Sequence, residues 1–161
     1  MPETLWKECQ AFIRPAHLSA EDVCVLLVFL CIRGLSKSKP LAEGIGVSDY
    51  SNPTLVTHAL INQEYVITMN HFSADMEKLL EGIIIFSDTF NFSQFLQEES
   101  VPHHLTALDN AVKVESFKAY KCYLIAMCAA MCGLGAARTM QGSLFLDASN
   151  GRNVMLGVQR L

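Results

Sequence analysis

Apolar and polar positions recur with helical spacing almost from the first residue. Leu5, Trp6, Cys9, Phe12 and Ile13 fall on one face of a helix predicted over Glu3–Ile13, which stops before Pro15. Ser19 caps a second, Ala20–Arg33, with Glu21 and Asp22 in the first turn, where negative charge suits the helix dipole. This helix carries the run VCVLLVFLCI and is followed by Gly34, a natural C′ residue. Ser36 to Gly46 reads as a short third helix entered through Ser-Lys-Pro and ended by Gly44 and Gly46. Asn52-Pro53 opens a fourth, predicted to reach about Thr68 and to bury Leu55, Val56, Ala59, Leu60, Val66 and Ile67. Ser73 caps a fifth over Ala74–Phe86; the β-branched Ile83-Ile84-Ile85 would suit a strand, but its amphipathic lead-in favours helix. Phe90, Phe92, Phe95 and Leu96 make a short apolar helix ending in Glu98-Glu99. Val101-Pro102 breaks the pattern, and an amphipathic helix runs from His104 through Leu105, Leu108 and Val112.

The stretch Cys122–Ala137 holds no charge and consists mostly of Ala, Cys, Met and Gly. A helix apolar all the way round has no face for water and sits inside protein or lipid. Crossing a bilayer takes about 20 apolar residues, so this run is predicted to be the central rod of a helical bundle. The tail from Ser143 to Val158 has two readings. One is a hairpin about Asn150-Gly151, a type I′ turn signal; the other is a last helix over Asn153–Leu161, favoured because everything upstream is helical. The expected fold is all-α, with about eight or nine helices.

Composition sharpens this picture. Apolar residues make up 51% of the 161 and charged ones 17%, which favours self-association or burial against a partner. The six cysteines contain no C-x-x-C pair and mostly stand in apolar helical patterns, so they read as reduced, buried side chains in a reducing compartment. The first 22 residues carry six charges and no apolar core of a signal peptide. Net charge is −4, unevenly spread: residues 48–108 set Lys78 against eight acidic groups, whereas residues 109–161 hold six basic and three acidic ones. Such asymmetry orients a protein on an anionic surface or stacks copies head to tail.

Candidate chemistry is sparse. Gly133-Leu-Gly135 follows a helix instead of a strand and lacks the third glycine of a dinucleotide loop. His103-His104 with Asp109 lacks zinc-like spacing, and neither His58 with Glu64 nor His71 with Asp75 stands near a nucleophile. No catalytic residue, metal or cofactor is expected. Lys113, Lys118 and Lys121 share a face if one helix carries them, and Arg138 and Arg152 extend it into a basic stripe suited to lipid headgroups, RNA or a partner protein. His58, His71, His103 and His104 are candidates for pH sensing, since histidine titrates near pH 6.

Two stretches resemble a known family. One is Leu5–Ile13, Pro15, then the capped helix Ala20–Arg33 and Gly34. The other is Asp109-Asn-Ala-Val-Lys113-Val followed by Ala126-Met-Cys-Ala-Ala-Met-Cys-Gly-Leu134 and Arg138-Thr-Met140. Their order and spacing resemble the N-terminal domain of orthomyxovirus matrix proteins, of the influenza and thogotovirus type. The resemblance implies two small helical bundles, residues 1–70 and 90–161, joined by a linker helix within 71–89, with a central helix over 120–137. It also implies a structural protein that polymerises beneath the viral envelope. Its partners would be copies of itself, ribonucleoprotein or RNA, the inner face of an anionic membrane and other envelope proteins, in the virion and in host cytoplasm and nucleus. The chain departs from the influenza members in having only Lys113, Lys118 and Lys121, interrupted by Glu115, where they carry a dense basic cluster. A cellular adaptor that grips a partner helix in an apolar groove is the alternative.

Overall fold

The computed structural model of the chain describes residues 1–97, 101–114, 116–134, 146–147 and 149–160, without the side chains of 93, 96, 101, 104, 114 and 160. The fold is all-helical. The elements are α1 (Glu3–Ile13), α2 (Ala20–Leu35), α3 (Lys39–Gly44), α4 (Pro53–Asn62), α5 (Ala74–Thr89), α6 (Phe92–Leu96), α7 (Val101–Val114), α8 (Phe117–Cys132) and α9 (Asn150–Arg160). Short 3-10 turns occupy Arg14–Ala16 and Ile67–His71.

Helix starts follow local chemistry. Ser19 and Asp22 form a capping box: the serine hydroxyl accepts from Asp22 N at 3.1 Å, and the Asp22 carboxylate accepts from Ser19 N at 2.9 Å. Asn52, Ser73 and Ser116 accept from the backbone N–H groups of Thr54, Met76 and Ala119. Pro102, expected to break the pattern, instead lies in the first turn of α7, where its missing N–H costs nothing.

Helix ends depart more from expectation. Helix α2 runs through Gly34 to Leu35, and the Ser36 hydroxyl closes it by donating to Arg33 O. Helix α4 stops at Asn62, well short of Thr68, in a Schellman motif: Tyr65 N donates to Leu60 O and Glu64 N to Ile61 O, both at 3.0 Å. Glu64 occupies the left-handed position of that motif at φ 57°. Helix α3 ends the same way with Gly46 there at φ 79°, Val47 N donating to Ala42 O.

Helix α5 packs against α8, α2 and α7; α8 also meets α2 and α9, and α9 lies on α1 and α6. Buried side chains from Leu5 to Val158 join in one hydrophobic core. Helix α8 supplies an unbroken buried run from Cys122 to Cys128, the expected rod, but it ends at Cys132 and turns Ala129 to solvent. Residues 135–137 of the expected rod lie outside the described residues. Trp6, Leu55 and Ile67, expected in the core, are exposed. The tail contains α9, a helix through Asn150-Gly151, and not a hairpin. Helix α9 lies close on α1 here: a Cβ on Gly151 would come 2.0 Å from Leu5 Cδ2, at the tip of that side chain.

Candidate functional site

The predicted basic stripe is not carried by one helix. Helix α7 ends at Val114 and α8 begins at Phe117 with its own cap at Ser116, so Lys113 stands on a different element from Lys118 and Lys121. Each of the three has a partner within the chain. Lys113 pairs with Asp109 one turn back in α7. Lys121 Nζ sits 4.9 Å from the centre of the Phe117 ring, a cation–π contact. Lys118 Nζ lies 2.6 Å from Asp22 Oδ1, tying the first turn of α8 to the first turn of α2. Arg152 is exposed on α9, and Arg138 lies outside the described residues.

Asp22 is the most heavily used polar side chain in this region. It is buried, yet its carboxylate completes the capping box and receives Lys118. Burial alone would raise its carboxyl, but hydrogen bonds from Lys118 and from Ser19 N outweigh that and hold it below the usual carboxylate range. The same bond pushes the Lys118 ammonium up, against the opposing effect of desolvation.

The histidines do not gather. His58 pairs with Asp88, thirty residues away, at 3.0 Å between Nε2 and Oδ2, and not with Glu64. His71 is exposed at the end of the second 3-10 turn, apart from Asp75 beyond the Ser73 cap. His103 is exposed in the first turn of α7, and the His104 side chain lies outside the described residues. Among the described residues no group of three or more His, Cys, Asp or Glu side chains is placed to hold a metal. All six cysteines are free. Burial pushes the Cys122 thiol up to about 11 and Cys128 up to about 12, so both are protonated at neutral pH. Tyr120 and Tyr123 are buried. The Tyr123 hydroxyl donates to Phe90 O at 2.7 Å, whereas the Tyr120 hydroxyl is enclosed without a partner among the described residues.

Two features carry no signal in the sequence. The first is the outward side of α2, where Val23, Leu27, Cys31 and Leu35 are exposed with no polar residue among them. Leu27, at its middle, is 59% exposed. The uninterrupted run VCVLLVFLCI hid this face, because a helix apolar all round reads as buried all round. The second is a cleft of about 530 Å³ at the C-terminal end of α2. There Arg33 and Lys37 face the first turn of α4, the last turn of α5 and the start of α6, above a floor made by Tyr123 and Met127 of α8. Its residues come from distant parts of the chain, so no spacing announced it.

Residues 1–144 match a family described as one of unknown function (DUF6829). The chain belongs to that family. No curated protein and no solved structure matches it. The DUF6829 match runs through α1–α8, so the α2 face and the cleft both fall inside it. No helix among the described residues is long and apolar enough to cross a membrane.

Proposed function

We propose that this chain is a non-catalytic assembly protein whose copies associate through the outward face of α2. The observation that carries this reading is the run of exposed apolar side chains Val23, Leu27, Cys31 and Leu35 on one helix. Leaving such a surface in water costs roughly 25 cal/mol per Å², which association recovers. A second copy is the occupant best supported, because 51% apolar and 17% charged residues leave little polar surface for an isolated protomer. The resemblance to orthomyxovirus matrix proteins points the same way, towards a layer of copies beneath an envelope that bridges an anionic membrane and ribonucleoprotein. The support for that bridging role is thinner, since Lys113, Lys118 and Lys121 are each engaged within the chain.

Sedimentation of the wild-type chain and of Leu27→Glu tests the assembly. The wild type is expected to form dimers or larger species at about 100 μM, and the variant to sediment as a monomer, since a desolvated charge opposes burial of the face. A monomeric wild type, or a variant that associates unchanged, overturns the reading. A wild-type monomer would leave the second reading, an adaptor whose α2 face takes a partner helix. Flotation with vesicles containing anionic lipid tests the membrane role separately: matrix behaviour requires that the chain rise with the vesicles.

A further inference from the structure

The cleft at the C-terminal end of α2 is chemically unlike the rest of this acidic chain. Two cations, Arg33 and Lys37, stand on its wall, and neither is paired with a carboxylate among the described residues. Partial burial, and then the Arg33 charge, hold the Lys37 ammonium below its ordinary range. Arg33 and the buried Tyr123 of the floor both line the cleft. Two like charges beside a concave surface attract a doubly negative group.

The remaining walls narrow the ligand further. Ser87, Asn91 and Gln94 offer neutral hydroxyl and amide groups, able to meet phosphate oxygens or sugar hydroxyls. Asp88, the one carboxylate among the described lining residues, is held by Thr54 Oγ1 and His58 Nε2, each at 3.0 Å. It stands against a second anionic group on the ligand but accepts hydroxyl donors. A volume of about 530 Å³ exceeds what a bare ion needs and lies within the usual span of small-molecule sites.

We propose that this cleft binds a small phosphomonoester with a hydroxylated body, its dianionic phosphate held by Arg33 and Lys37 and its hydroxyls turned towards Asp88, Asn91 and Gln94. Calorimetric titration of the full chain with ribose 5-phosphate, inorganic phosphate, ribose and succinate tests it. Saturable binding of ribose 5-phosphate is expected, with inorganic phosphate weaker and ribose and succinate silent. Lys37→Gln should weaken binding about tenfold or more through loss of one charge-assisted hydrogen bond. Lys37 is exposed, so this variant folds even if Arg33→Gln does not, and retained helical circular dichroism checks it. Absence of saturable binding up to about 10 mM, well above useful small-ligand affinities, overturns the site. So does binding undiminished in Lys37→Gln. Succinate binding as tightly as ribose 5-phosphate would overturn the assignment to phosphate, and inorganic phosphate doing so would overturn the hydroxylated body.

Discussion

Tyr120 and Tyr123 lie one helical turn apart on α8, both against the Phe86 ring, and their hydroxyls meet opposite fates. Tyr123 donates to Phe90 O; the Tyr120 hydroxyl is buried with no partner among the described residues. An unsatisfied buried hydroxyl costs about 1–3 kcal/mol in desolvation, whereas a satisfied one contributes about 1 kcal/mol. Tyr123→Phe should therefore destabilise the chain by about 1 kcal/mol, and Tyr120→Phe should be neutral or stabilising by a similar amount. Urea unfolding of the two variants checks the contrast, which reverses if Tyr120 gains a hydrogen bond in solution. Nothing in the sequence separates the pair, because burial of both was needed before either hydroxyl became a question.

At the scale of elements, starts were legible and ends were not. Ser19, Asn52 and Ser73 cap helices by hydrogen bonds to residues two or three positions on, so the signal is local. The end of α3 was equally visible, since glycine takes the left-handed position at Gly46. The end of α4 uses the same motif with Glu64, a residue that carries no such signal, and the predicted helix overran it. The junction of α1 and α9 was invisible for another reason. Gly151 looked like half of a turn dipeptide, but the tip of the Leu5 side chain of α1 occupies the space a Cβ would need. Gly151→Ala should gain up to about 1 kcal/mol in helix propensity and lose about 1–3 kcal/mol to overpacking, for a net loss. In a double-mutant cycle read by denaturant unfolding, the Gly151→Ala penalty should shrink in a Leu5→Ala background. An unchanged penalty would detach the glycine from Leu5.

On the scale of the whole molecule, Asp22 couples the start of α2 to the start of α8, so its protonation bears on global stability. Its folded carboxyl lies below the unfolded value of 3.8, and its stabilising contribution is therefore present above that pH and lost as pH falls through the folded value. Lys118 behaves in the opposite sense: raised above 10.5, it contributes below that pH and loses its contribution as pH rises through the folded value. Because Lys118 is 57% exposed, solvent screens its share, and most of the effect belongs to Asp22. Asp22→Asn should cost about 2 kcal/mol at neutral pH and flatten the loss of stability as pH falls below about 4. Unfolding free energies measured across that window decide it; an acid limb of wild-type steepness would show that other carboxylates govern it.

By itself, the sequence determined what short-range chemistry controls: an all-helical chain, the caps and the buried run Cys122–Cys128 of α8. Helical spacing and capping act over three or four residues, and one strand of text contains them. Only the tertiary structure decided which apolar faces stay exposed, because α2 is apolar on sides that pack and on a side that does not. It also gave His58 to Asp88 and Lys118 to Asp22, and gathered the Arg33–Lys37 cleft. Those outcomes join residues thirty or more positions apart or depend on how helices turn against their neighbours, and no local pattern encodes that orientation.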